Sequence, residues 1–220
     1  MLFLNTVTSN GMDPITSIFY IVILIISVMV HEIAHGFTAL FLGDKTALYA
    51  GRLTLNPIKH IDWVGSIFLP LILVLSGTGF VVGWAKPVPY NPYNLRNQRW
   101  GELAVASAGI IVNLLIVLLF GFIIKIGATY FPDFVNGQFF TITKIIVLLN
   151  IVLALFNLVP IPPLDGSKIL FALLHHRARK FQNFLQTFSL PILIFFIIFL
   201  WQSVSSFIFF LFNLFTGSVF

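Results

Sequence analysis

The chain has 220 residues, 59% of them apolar and only 9% charged, with a formal charge of +5 and no cysteine. That balance excludes a soluble globular chain, and the missing thiols exclude disulfides and thiolate metal sites, leaving His and carboxylate as the strong ligands. The basic residues are scattered through short connections, so they read as membrane-topology and headgroup contacts and exclude a nucleic-acid surface.

Residues Met1 to Asp13 lack the positive stretch of a cleavable signal, and the first apolar run is expected to be retained. Asp13-Pro14 reads as an N-cap followed by proline at the first helical position, and predicts a helix to about Leu42, where Gly43-Asp44 stops it. This first span, 14–42, exceeds the roughly 20 residues that cross a bilayer. Within it stands His31-Glu32-Ile33-Ala34-His35. Ionisable groups inside a spanning segment are costly and are functional by default. Imidazoles at i and i+4 share one helical face and can reach a single metal, while Glu32 projects beside that metal, placed to activate a water. A packed polar cluster is the bland alternative. Unpartnered, it would cost roughly several kcal/mol between Val28-Met29-Val30 and Phe37.

Residues 44–100 form a predicted re-entrant and extended region. Alternation at Arg52-Leu53-Thr54-Leu55, closed by Asn56-Pro57, predicts a β-hairpin or strand at the membrane surface. The apolar run Trp63 to Val82 is broken by Pro70, Gly77 and Gly79, and the prolines of the following stretch force it to be extended. A second span, 101–128, carries Gly109 and Asn113. A third, 139–174, is an apolar run to Val159, then Asn157-Leu-Val-Pro-Ile-Pro-Pro-Leu-Asp165-Gly166 and a short helix from Ser167 to Leu174. His175-His176 goes with Arg177 to Lys180 against headgroups and is not read as a metal site. The last span, 184–215, is longer than one crossing and is expected to kink or tilt at Pro191.

Asp165 is the best third ligand, because it lies just past an apolar helix in irregular backbone, which is tolerated at membrane depth only when buried or lining a cavity. For it to meet His31 and His35, the chain must cross once between Leu42 and Phe139, so 63–82 enters and leaves on one face. Charge agrees. Lys45, Arg52, Lys59, Lys86, Arg96, Arg99, Lys168, Arg177, Arg179 and Lys180 then share one side against Lys125 and Lys144, which places that side and the metal toward the cytoplasm, with both termini outside. The predicted fold is an all-α polytopic membrane protein, 1–220 as one integral-membrane domain. It has about four full transmembrane helices, a re-entrant segment, short β or extended surface loops and a three-helix core.

Together, His31-Glu32-x-x-His35, Gly109-x-x-x-Asn113 and Asn157-x-x-Pro160-x-Pro162-x-Leu164-Asp165-Gly166 resemble the site-2 protease family of intramembrane zinc metalloproteases. Gly51 to Pro57 and Gly83 to Pro89 resemble loops of its compact bacterial and archaeal members, which implies a prokaryotic cell membrane. The chain departs from the family in having Ile110 where a proline usually follows the glycine, and in leaving no room for a PDZ domain or CBS pair. The resemblance implies one zinc ion per chain on His31, His35 and Asp165, Glu32 as general base and acid, and substrates that are transmembrane segments of other membrane proteins in the lipid bilayer. An unwound substrate could add as a strand to 48–57 or 84–92. Asn113 and Asn157 either hold the freed backbone and steady the oxyanion or glue neighbouring helices. His60 and Asp62 either orient a ligand or form a surface polar pair. Two competing functions are a membrane metal permease, which calls for ionisable groups along a through-path, and a catalytically silent protein that binds membrane helices, which has no need of Glu32.

Overall fold

Helix α1 (Pro14–Phe41) begins at the expected proline, and is followed by α2 (Thr46–Tyr49), α3 (Gln98–Tyr130), α4 (Gln138–Leu158), α5 (Asp165–Leu173), α6 (Arg179–Thr187), α7 (Ser189–Phe195) and α8 (Trp201–Thr216). These come from a computed structural model that describes residues 14–68, 72, 85–131, 135, 137–174 and 178–217. Three stretches are long and apolar enough to cross a membrane, Ile18–Phe41, Gln98–Tyr130 and Gln138–Leu158, and the bent pair at the C-terminal end would make a fourth. The chain is an all-α polytopic membrane protein.

The three long helices pack on one another through α3, whose Ala106, Gly109, Asn113 and Val117 are buried. Small residues at this seam let backbones approach, as helices in lipid require when apolar burial no longer drives them together. Gly121 is one such point, since a Cβ there would lie 2.9 Å from the Phe215 carbonyl oxygen of α8. Farther along, Val117, Ile124, Val147, Ile151, Ile208 and Phe212 close the core between α3, α4 and α8. Exposed Ile18, Ile21, Leu115, Leu119 and Phe122 form the outer surface.

The C-terminal region differs from a single span over 184–215. Its helix begins at Arg179, bends by 70° between Thr187 and Ser189, and passes through a π-helical turn at Phe196–Leu200 before α8. Pro191 lies in the first turn of α7, where its missing N–H has no intrahelical partner to lose, so the break falls ahead of it.

The predicted β-hairpin around Arg52–Leu55 is not formed, and no strand occurs among the described residues. Side chains satisfy this backbone in place of a ladder. The Thr54 carbonyl pairs with the His60 ring at 2.9 Å, and Arg52 turns inward. Most of the expected re-entrant run lies outside the described residues. The residues that flank it are adjacent, because the Lys86 N–H donates to the His60 carbonyl at 2.9 Å. Asp62 caps the turn that opens the run, accepting from the Val64 and Gly65 N–H groups.

Helix α1 closes with two crossed hydrogen bonds, Gly43 N–H to Leu40 and Asp44 N–H to Ala39, with Gly43 at φ 110°, a left-handed position that glycine occupies without a Cβ penalty. Asp44 then knots this end to the segment leading into α3. Its fully buried carboxylate accepts from the Asn91 N–H at 2.7 Å, the Asn94 amide at 2.9 Å and both donors of Thr46. Burial alone would raise the carboxyl's pKa, but the hydrogen bonds from Thr46, Asn94 and Asn91 outweigh it and hold the group below the usual carboxylate range. Asp44→Ala is expected to lower stability at pH 7 by roughly 1.5–3 kcal/mol, the range for hydrogen bonds to a charged group, read as a several-degree fall in Tm in detergent. Because the folded carboxyl titrates below its unfolded value, this contribution is complete above about pH 4 and lost as pH falls through the depressed value. The variant's Tm should therefore converge on that of the parent in acid, and equal values at pH 7 would show the knot to be inert.

Candidate metal centre

His31 and His35 face the bundle interior one helical turn apart, about 15 and 9 Å from the end of α1 at Phe41. Their rings stand edge to face, with centroids 4.7 Å apart. Asp165, the first residue of α5, comes to them from 134 residues away. Its Oδ2 is 3.1 Å from His31 Nε2 and 2.9 Å from His35 Nε2, and the two Nε2 atoms are 3.1 Å apart. All three side chains are buried.

This triangle has the chemistry and nearly the size of a zinc ligand set. Ligand atoms about 2.0–2.1 Å from a tetrahedral ion stand roughly 3.3 Å from one another, a few tenths of an ångström wider than these three. The His35 Nδ1–H donates to the Val105 carbonyl at 2.6 Å, so when the ring is neutral its lone pair is at Nε2, on the side of Asp165. Two imidazole lone pairs and a carboxylate aimed at one point suit a divalent cation of borderline softness.

Glu32 lies beside the pair, and its nearest ligand-type oxygen is within 4.8 Å of both rings. Its Oε2 accepts a hydrogen bond from the Val88 N–H at 2.9 Å. Val88 belongs to the extended strap that follows the re-entrant run and rests on α1 at Gly36, where a Cβ would meet the Val88 side chain at 2.7 Å and that of Leu53 at 2.5 Å. Since Lys86 donates to His60, Val88 to Glu32, and Pro87 has no N–H, the stretch Lys86–Val88 has no free donor for an added strand. Its counterpart, 48–57, begins in helix and turn.

Two glycines of the motifs have steric reasons. A Cβ on Gly109 would stand 2.5 Å from His31 Cε1 and 2.6 Å from its Nε2, so the imidazole lies flat against the α3 backbone only because that position is bare. A Cβ on Gly166 would lie 2.2 Å from the Leu158 carbonyl oxygen, so the turn that delivers Asp165 can fold back on the end of α4. Ile110 leaves α3 helical and is itself buried.

Asn113, one turn beyond Gly109, is fully buried, and neither atom of its amide has a hydrogen-bond partner among the described residues. Asn157 donates to the Leu153 carbonyl of its own helix at 3.0 Å. Neither bonds to His31, His35 or Asp165. His60 is buried and ties the loop together, while Asp62 caps a turn. His175 and His176 lie outside the described residues. Sequence reasoning missed Lys168, treating it as a topology charge. Its ammonium lies 2.9 Å from Asp165 Oδ1, the oxygen not facing the histidines, and the i, i+3 spacing on α5 was the available signal.

Gly109→Ala is expected to retain its helical circular dichroism yet bind zinc about tenfold more weakly or worse, because the added methyl displaces the His31 ring. Metal content by mass spectrometry equal to the parent's would show that the ring does not depend on that gap.

The family model that matches this chain, Peptidase family M50, covers residues 19–131 and 123–200. The Bacillus subtilis (strain 168) protein YwhC is 43% identical over 164 residues, which are 71% of this chain and 70% of YwhC. Rip2 of Mycolicibacterium smegmatis is 34% identical over 64% of this chain and 52% of its own length, and zinc metalloprotease MJ0392 of Methanocaldococcus jannaschii is 28% identical over 70% and 33%. No solved structure matches. The motifs and the family model agree, and the chain belongs to Peptidase family M50, the site-2 protease family of zinc metalloendopeptidases.

Proposed function

We propose that this zinc metalloprotease is an intramembrane endopeptidase that hydrolyses peptide bonds in or near transmembrane segments of membrane-protein substrates. The observation that carries the reading is the meeting of two imidazoles from within an apolar helix with one carboxylate from a distant segment, beside a glutamate that is not part of the triangle. His31, His35 and Asp165 would hold the ion. Zinc, when bound, polarises a carbonyl and brings the pKa of a water to about 7.

The chain's own residues do the remainder. Glu32 is the general base that takes a proton from the attacking water and the acid that returns it to the leaving amine. Its Oε1 serves, since Oε2 is held by Val88. Asn113 offers a buried, unpartnered amide to the unwound substrate backbone or the oxyanion. Asn157, already bonded within α4, is the weaker candidate for that role and the better one for helix packing. Water is a reactant, and Lys168, whose side chain is 40% exposed beside Asp165, marks a polar approach to the centre. A helical substrate shields its own amides, so it must unwind locally before its carbonyl is open to attack.

Glu32→Gln is expected to lower turnover of a detergent-solubilised substrate by about 10²- to 10⁴-fold while still binding one zinc per chain. A chelator should abolish wild-type turnover, and added zinc should restore it. Unchanged turnover in Glu32→Gln would reject the mechanism.

The excess of basic residues on the loops around the metal centre supports a cytoplasmic active site. With no native cysteine, single substitutions report the orientation. A membrane-impermeant maleimide should label Lys125→Cys on intact bacterial spheroplasts, and Lys45→Cys only after lysis. The reverse pattern would invert the assignment.

A further inference from the structure

Arg52 is 7% exposed, makes no ion pair among the described residues, and leaves its Nε buried without a partner. A guanidinium so placed is costly unless something compensates its charge. Its Nη2 donates to two consecutive carbonyls of the strap, Lys86 at 2.7 Å and Pro87 at 3.2 Å. The Pro87 carbonyl belongs to the same peptide unit as the Val88 N–H, which donates to Glu32 Oε2 at 2.9 Å. That bond is trans, so its C=O and N–H point in opposite directions, and one line runs from cation to carbonyl to N–H to carboxylate. Hydrogen bonds in such a chain polarise one another, the cation making the N–H a stronger donor to the anion.

The flanking sequence makes the peptide a rigid connector. Pro87 and Pro89 remove the neighbouring donors, fix their own φ, and hold Lys86 and Val88 in extended conformations. Lys86 is anchored to His60, and Val88 sits against the bare position of Gly36.

We infer that Arg52 is a positioning residue for catalysis, holding the Glu32 carboxylate in its working orientation through the Pro87–Val88 peptide group. This rests on Glu32 being the general base. One oxygen is fixed and the other left free for the proton, and the buried cation is matched by an anion it does not touch.

The test uses the full-length enzyme in detergent with a fixed membrane-protein substrate. Arg52→Met should lower kcat by about 10- to 100-fold, the range for groups that orient a metal site's working residues, with KM within about twofold and zinc still at one per chain. Arg52→Lys, which keeps the cation, should recover part of the loss. In a Glu32→Asp background, where the shorter carboxylate no longer reaches Val88, Arg52→Met should cost little more. Replacing Val88 by its α-hydroxy acid, which removes the N–H donor and weakens the Pro87 carbonyl as an acceptor while leaving every side chain in place, should reproduce the Arg52→Met loss, and it decides the matter if Arg52→Met does not fold. A rise in KM with kcat unchanged, an equal and additive loss in the Glu32→Asp background, or full activity of the ester variant would overturn the proposal. Intact turnover in Glu32→Gln would instead overturn the assignment of the base itself, so the two failures are separable.

Discussion

Everything in this protein is arranged so that Asp165 Oδ2 can sit about 3 Å from two imidazole nitrogens inside an apolar bundle. A carboxylate in such surroundings is tolerated only when its charge is matched, and the matching groups come from both sides. Lys168 takes one oxygen, and a cation held together with the two histidines would take the other. The helices are built around that meeting. Gly109 thins α3 to admit the His31 ring, Gly166 lets the loop after α4 fold back, and the Val105 carbonyl fixes His35 from behind.

The strap over the site is the second layer of this arrangement. It is braced at three points, by His60, by Arg52 and by the Asp44 knot, and each brace is a polar group that would otherwise be buried without need. The loops between the first two spans thus form a frame for Glu32 built of side-chain to backbone hydrogen bonds and one backbone pair, Lys86 to His60. Such a frame needs no β-ladder, which is why an alternating pattern such as Arg52-Leu53-Thr54-Leu55 misleads. There the alternation separates a buried guanidinium from its neighbours and does not mark the two faces of a sheet.

The spans and the three side chains that meet were legible because their signals are local. Pro14 and Gly43 bracket α1, His31 and His35 have fixed spacing on one helix, and Asp165 stood out by its place after an apolar run. Its meeting with the imidazoles was the premise from which the number of crossings was counted, and the charge pattern agreed with that count. Less was legible where the outcome depends on three-dimensional neighbours. Nothing in the sequence tells that Val88 donates to Glu32, that Lys168 reaches Asp165 and not the headgroups, or that Asn157 turns back on its own helix while Asn113 remains unpartnered. The bend was expected, but at Pro191 and not at Phe188. Proline marks where a helix cannot continue, but Pro191 is accommodated in a new first turn, and the break falls before it.

The close seating of His31 on Gly109 gives that imidazole a second job. Besides carrying a lone pair, the ring is the shim that sets the gap between the first and second long helices. Replacing it removes a donor and a spacer together, so an inactive His31 variant reports on helix spacing as much as on coordination. Asp165 enters from outside the pair, and its variants would instead leave the Lys168 ammonium without its carboxylate.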